Sequence, residues 1–296
     1  MKNNLKCEVL LGDAVSIADK LSDSCFQTII TSPPYYGHRN YSENSNENEI
    51  GREKTLEEYI KKLVAVFRTL KPKLKDNGLV WLNLGDTFRG KSLLGVPWRV
   101  ALALSDDGWL LRSDIIWHKP NAMPSSVKNR PTVDHEYIFL FAKNEAYYYD
   151  ADAIREPHVT FTEKSKMRGG RNHFGKKNGT PENGKNGGNA NLHNGRWDQA
   201  FHPNGRNKRT VWEISLGKFR DVHFAVYPEK LVETCLLAST KPNDVVLDPF
   251  CGSGTTGIVS LKHGRKFVGV ELVEKYQKMA EERLQKHSRQ EFLLAV

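Results

Sequence analysis

From Val245 to Leu272 the chain reads VVLDPFCGSGTTGIVSLKHGRKFVGVEL. An apolar run ends in Asp248. A glycine-rich turn follows, then a helical stretch from Gly257 to Lys262, a second apolar run over Phe267 to Val270, and a second acid, Glu271. Few conformations satisfy that order. Read as strand, turn, helix, strand, it is a βαβ unit, which pairs its strands in parallel. Gly252 and Gly254 allow positive φ and a close approach of backbone to a ligand. Glu271 falls 23 residues after Asp248, where a carboxylate can accept both hydroxyls of a ribose. The turn is not G-x-G-x-x-G and brings no lysine to a phosphate. Asp248 would repel a phosphate and suit a cation. The implied ligand carries ribose and adenine without a clamped phosphate, and S-adenosyl-L-methionine fits. The plain alternative is a βαβ unit with a tight turn and no ligand. Thr255 and Thr256 have a second reading as helix caps, and Cys251 reads as structural.

A second stretch, TSPPYYG from Thr31 to Gly37, follows the apolar run Phe26–Ile30. Two prolines cannot extend a sheet, because each lacks an N–H and fixes φ. The segment is rigid and aromatic and sits at a strand end, where open α/β sheets place their sites. Its plain reading is a strand-to-loop exit with exposed aromatics. Upstream, LGDA places Asp13 after the strand Leu10–Leu11, either facing a ligand or capping a helix over Ile17–Leu21.

Elsewhere the first half alternates strands and helices and implies a largely parallel sheet. Thr55 caps a helix whose Leu56, Tyr59, Ile60, Leu63, Val64, Phe67 and Leu70 share one face. Strands are expected over Leu79–Leu84, Leu110–Trp117 and Tyr137–Ala142, and a helix from Pro97 to Leu104. Residues 37–54 are polar and read as a mobile loop. Residues 156–210 carry eleven Lys/Arg against four Asp/Glu and almost no apolar periodicity, too little to fold alone. They read either as an arm that orders on a phosphate backbone or as an insertion without function. After them apolar order returns with Val211–Ile214, followed by helices over Glu229–Ala238 and Val273–Leu284 and the unit described first. The chain of 296 residues therefore divides into 1–155, 156–210 and 211–296. Its net charge of +9 favours a polyanionic partner. Four scattered cysteines, none at CxxC spacing, indicate neither a zinc ribbon nor a disulfide framework. No histidine pattern suggests a metal. No signal peptide or membrane-length run is apparent, so a cytoplasmic setting is expected.

DPFCGSGTT, Asp248 to Thr256, resembles motif I of the amino DNA methyltransferases, and TSPPY resembles their catalytic motif in its cytosine-N4 variant. The order, catalytic motif first, resembles the β class. HFAVYPEKLV, His223 to Val232, and Asp114 to Lys143 resemble further family blocks; together these span residues 8–150 and 210–285. The resemblance implies a Rossmann-like S-adenosylmethionine-dependent fold, a mixed and mostly parallel α/β sheet of about seven strands. It implies that Ser32 and the Pro33 carbonyl accept from the target amine, that Pro34 stiffens them, and that Tyr35 stacks on a base flipped out of duplex DNA. Asp13, His223, Pro228, Asp248, Phe250, Gly252, Gly254, Thr255 and Glu271 would hold the cofactor. Tyr36 and His38 would support the rim, and Trp117, His118 and Lys119 would lie near the pocket.

The expected activity is methylation of cytosine N4 at specific sites in double-stranded DNA, with residues 156–210, and 121–135 as a further candidate, reading the sequence. A cognate restriction endonuclease is the natural companion; oligomeric state is left open. The enzymatic rival is N6-adenine methylation, since both amines offer the same geometry. The non-enzymatic rival is a DNA-binding module on a spent methyltransferase fold. Cytosine C5 chemistry needs a nucleophilic cysteine, typically after a proline, and no cysteine here follows one.

Overall fold

The structure, a computed structural model, describes residues 7–37, 49–158, 204–217 and 227–294, with side chains to residue 288. The chain forms two units: residues 1–150 with 209–296, and residues 151–208. His38 and His223, expected at the rim and at the cofactor, and most of the basic arm lie outside the described residues.

In the larger unit the strands are β1 (Cys7–Leu11), β2 (Phe26–Thr31), β3 (Leu74–Leu84), β4 (Phe88–Arg89), β5 (Ser92–Leu93), β6 (Leu110–His118), β7 (His135–Ala142), β8 (Val211–Glu213), β9 (Val245–Asp248) and β10 (Lys266–Glu271). The helices are α1 (Ala14–Ala18), α2 (Leu56–Leu70), α3 (Val96–Asp106), α4 (Glu229–Ser239), α5 (Thr255–Lys262) and α6 (Glu274–Leu294). Eight strands form one sheet in the order β1-β10-β9-β2-β3-β7-β6-β8, and β4 and β5 form a separate hairpin. The sheet is parallel from β1 to β3 and again between β6 and β8. β7 runs antiparallel to both neighbours. This is the expected Rossmann-like class with eight strands instead of about seven. The largely parallel first half is corrected at β6 and β7: no helix joins them, so the chain has no crossover to restore its direction.

β2 is central and buried along its whole length, as a strand covered on both faces must be. Its residues alternate between two layers. Ile29 joins Val80, Leu82, Phe139 and Leu247 in the core shared with α1, α2 and α3. On the opposite face Thr28 meets Ser239 of α4, which also accepts from the Trp81 indole at 3.1 Å. α2 opens with a full capping box: Glu58 N–H donates to Thr55 and Thr55 N–H to the Glu58 carboxylate, a device that contributes about 1 kcal/mol. The expected mobile loop returns to the core early, since Glu49 and Ile50 are buried and Gly37 N–H donates to Gly51. α1 begins three residues before its expected start because Asp13 caps it.

The smaller unit is described only near its ends. Glu156 and Arg206 exchange two backbone hydrogen bonds at 2.9 and 2.8 Å. Arg206 and Lys208 both reach the Glu156 carboxylate at 3.2 Å.

Candidate active site

Parallel strands end together, so the C-terminal ends of β1, β10, β9, β2 and β3 share one sheet edge. β7 runs backwards and delivers its first residues to that edge, and β6 ends there beside it. A cavity of about 880 Å³ opens at this edge, where such sheets bind ligands. By strand order it runs from Asp13 and Glu271 to Ser32, Tyr35, Asn83 and Glu136, all of which line it.

On the β9–β10 side, Gly252 N–H and Val273 N–H donate to the two oxygens of Glu271 at 2.8 and 2.9 Å. The carboxylate is thereby aimed, with lone pairs left for hydroxyl donors. Burial lifts its pKa, more than these N–H groups lower it. Phe250, Gly252 and Thr255 line the cavity, whereas Gly254 and Pro228 do not. Gly254 sits at φ +81°, and a Cβ there would lie 3.1 Å from that of Ala280; this glycine lets α6 pack beside the turn. Pro228 is the N-cap position of α4.

Asp248 stands behind the wall. It is 1% exposed and accepts from Thr31 Oγ1 (2.7 Å), Thr256 Oγ1 (2.6 Å), Tyr227 Oη (3.0 Å) and Phe250 N–H (3.1 Å). Four donors saturate a carboxylate, so its contact with a cation gives way to a different task. It ties β2 and the segment before α4 to the glycine-rich turn. Burial lifts its pKa against the pull of those donors. Thr256 is thus a partner of Asp248 and not a cap; the cap position is Gly254. Asp13 Oδ1 accepts from Ser16 N–H at 2.9 Å, which is the capping alternative, and the residue still lines the cavity. Cys251 is buried, and its thiol is pushed well up by burial.

On the β2–β3 side, Pro33 is buried and the Pro34 carbonyl accepts from Tyr59 Oη of α2 at 2.9 Å. No donor among the described residues is spent on the Pro33 carbonyl. Tyr36 is 7% exposed and packs on Tyr59 with ring centroids 5.5 Å apart, so it is buried packing and not loop surface. The Tyr35 ring lies against Gly85, where a Cβ would come within 2.7 Å of it. Its hydroxyl joins a polar cluster. Asn83 Nδ2 reaches Tyr35 Oη and Glu136 Oε2, both at 2.8 Å, and Ser32 Oγ at 3.3 Å. Tyr35 Oη donates to Glu136 at 2.6 Å, and Lys119 pairs with the other Glu136 oxygen. Burial and the Glu136 charge raise the Tyr35 phenol well above its usual value.

Sequence reasoning passed over Asn83, Glu136 and Tyr227. The signal for Asn83 was a lone amide in the apolar run LVWLNL. Glu136 and Tyr227 lie inside the family blocks, beside residues that drew more notice. Lys119 and Trp117 both line the cavity, Trp117 largely buried with its indole on the Ile214 carbonyl at 2.8 Å, whereas His118 does not line it.

A mostly parallel sheet with a glycine-rich turn and an acid at adjacent strand ends defines a Rossmann-like fold built around a nucleoside ligand. Residues 26–282 match the model of the DNA methylase family that acts on N6 and N4 amino groups, and the chain belongs to that family. It is 37% identical to the Type II methyltransferase M.SmaI of Serratia marcescens, over 96% of this chain and 93% of that protein. It is 39% identical to M.Cfr9I of Citrobacter freundii, over 93% and 86% respectively. The PvuII DNA methyltransferase, described as cytosine-N4-specific, shares the fold at a TM-score of 0.65 and 19% identity, over 95% and 91% of the two chains. M1.HpyAVI in complex with S-adenosylmethionine does so at 0.57 and 21%, over 94% and 98%.

The chain is a DNA methyltransferase, and S-adenosyl-L-methionine is its cofactor. The site fits that group. Beside the aimed Glu271, Ser253 and Thr255 line the cavity, and their buried hydroxyls have no partner among the described residues, a cost that a polar ligand relieves. Among the described residues no group of His, Cys, Asp and Glu could hold a metal ion, and no helix is long and apolar enough to cross a membrane.

Proposed function

We propose that the protein methylates the N4 amine of a specific cytosine in duplex DNA, as the modification half of a Type II restriction system acting in the cytoplasm. The observation that carries this reading is that Ser32 and Pro33, at the β2 end, line the same cavity as Glu271; the Ser32 hydroxyl and the Pro33 carbonyl are the acceptors the reading assigns to the target amine. An exocyclic amine is a weak nucleophile because its lone pair conjugates into the ring. Acceptors on its N–H groups localise that pair, and fixed acceptors do so without reorganising at the moment of reaction. Fixity here has named sources: two prolines, the Tyr59 bond to Pro34, and Tyr35 seated on Gly85.

When bound, S-adenosylmethionine supplies an electrophilic methyl carbon and accepts the electron pair of the broken carbon–sulfur bond. Glu271 would hold its ribose and Ser253 and Thr255 its methionine end, with Asp13 and Phe250 at the adenine. Asp248 keeps the turn that carries these groups in register with β2. The target base must leave the duplex to reach Ser32. The mouth suits that: Arg130 lies over Phe88 at 3.8 Å, and Met123 is 84% exposed. Ser32 in place of an asparagine favours cytosine over adenine. The Type II standing of M.SmaI and M.Cfr9I supports a cognate endonuclease, and the basic segment 156–210 supports sequence reading from that arm.

Nucleosides from unmethylated DNA, incubated with the protein and cofactor and resolved by mass spectrometry, test the reading. N4-methylcytosine is the expected product. N6-methyladenine would transfer the assignment to adenine, and no methylated nucleoside would favour a DNA-binding role without catalysis.

A further inference from the structure

Family membership does not say why Ser32 should accept a hydrogen bond when its hydroxyl can equally donate. The structure supplies a reason. A carboxylate only accepts. Tyr35 Oη, 2.6 Å from Glu136 Oε2, must therefore donate to it. That leaves the Tyr35 oxygen as the acceptor toward Ser32, so Ser32 Oγ, 3.2 Å away, donates to Tyr35. With its only proton committed, Ser32 has lone pairs alone to offer the cavity. Asn83 enforces the same sense. Its Nδ2 faces Ser32, Tyr35 and Glu136, while its Oδ1 is buried with no partner among the described residues. An unsatisfied amide oxygen is costly, and the opposite orientation would set that oxygen against the carboxylate. Lys119 secures the other Glu136 oxygen and lies over the Trp117 ring at 4.5 Å.

We propose that Glu136 is a positioning residue for methyl transfer. By accepting from Tyr35 and Asn83 it directs the hydrogen-bond chain so that Ser32 Oγ meets the target amine as an acceptor, with an outlet for the amine's surplus proton. The inference rests on the proposed function and deepens it. A nitrogen that gains a methyl group must lose a proton. As that N–H bond breaks, Ser32 Oγ takes the proton and passes its own to Tyr35, which passes its own to Glu136. The carboxylate becomes a carboxylic acid, one proton has moved along the chain, and both hydroxyls are restored.

Glu136→Gln in the full chain tests this, because an amide can donate as well as accept and no longer forces the direction. We expect kcat to fall roughly ten- to a hundredfold, with the calorimetric affinity for S-adenosylmethionine and the melting temperature unchanged. In a Ser32→Ala background the same substitution should cost less than about twofold, since the group it directs is gone. Tyr35→Phe keeps the ring on Gly85 and cuts the chain, so its loss should match that of Glu136→Gln and not add to it. An undiminished kcat in either single variant overturns the proposal, as does an equal loss for Glu136→Gln in both backgrounds. A wild-type protein that methylates no DNA would instead strike at the proposed function.

Discussion

Asp248 and Glu271 are both acids at strand ends, and the structure gives them opposite tasks. One is sealed by four donors and the other faces the cavity. Sequence spacing located both and could not separate them, because Thr31 and Tyr227, which help seal Asp248, are distant in the chain. Glu271→Gln should weaken cofactor binding about tenfold, read by calorimetry. It should also change the pH dependence of stability. Burial raises the Glu271 pKa above its ordinary 4.5, so the folded chain keeps this proton where the unfolded chain has lost it. The stability from this group is therefore full below that value and declines as pH rises toward the raised one. The melting temperature of Glu271→Gln should gain on wild type as pH climbs from 4.5, and a constant difference would refute the sign. Ser32→Ala should lower kcat by roughly a hundredfold with cofactor affinity unchanged. A matching loss of both would make Ser32 structural.

Elements were legible where periodicity or capping marks them. Thr55 and the apolar face of α2 are read directly from residues 55–70. The direction of β7 was not, because strand sense depends on what covers the sheet and not on local pattern. That reversal is what brings Glu136 to the site, so the same gap hid both the topology and the residue. α2 is more than cover: it carries Tyr59, whose hydroxyl holds the Pro34 carbonyl. Tyr59→Phe should cost about 1 kcal/mol in a denaturant titration and slow turnover, since it frees the proline pair. Thr55→Ala, at the other end of the helix's first turn, should cost a similar amount with turnover per folded molecule preserved.

For the molecule as a whole, charge is the most legible property and the basic segment its main source. Deleting residues 165–205 should weaken DNA binding and flatten its salt dependence, measured by fluorescence anisotropy across a salt series. Binding that keeps both its strength and its slope would make the segment a bystander. The sequence it reads had no legible signature, because base preference lies in groove contacts and not in composition.

The strand order also dictates a timetable. β1 precedes the other strands, yet among the described residues its only neighbour is β10, and β2 has β9 on one side. A chain emerging from the ribosome must therefore carry two open strand edges until β9 and β10 are synthesised, with a slot waiting in the middle of the sheet. The segment that fills the slot is the same one that brings the glycine-rich turn. A polypeptide that stops short of β9 thus lacks both a filled sheet and the turn that would seat the methyl donor.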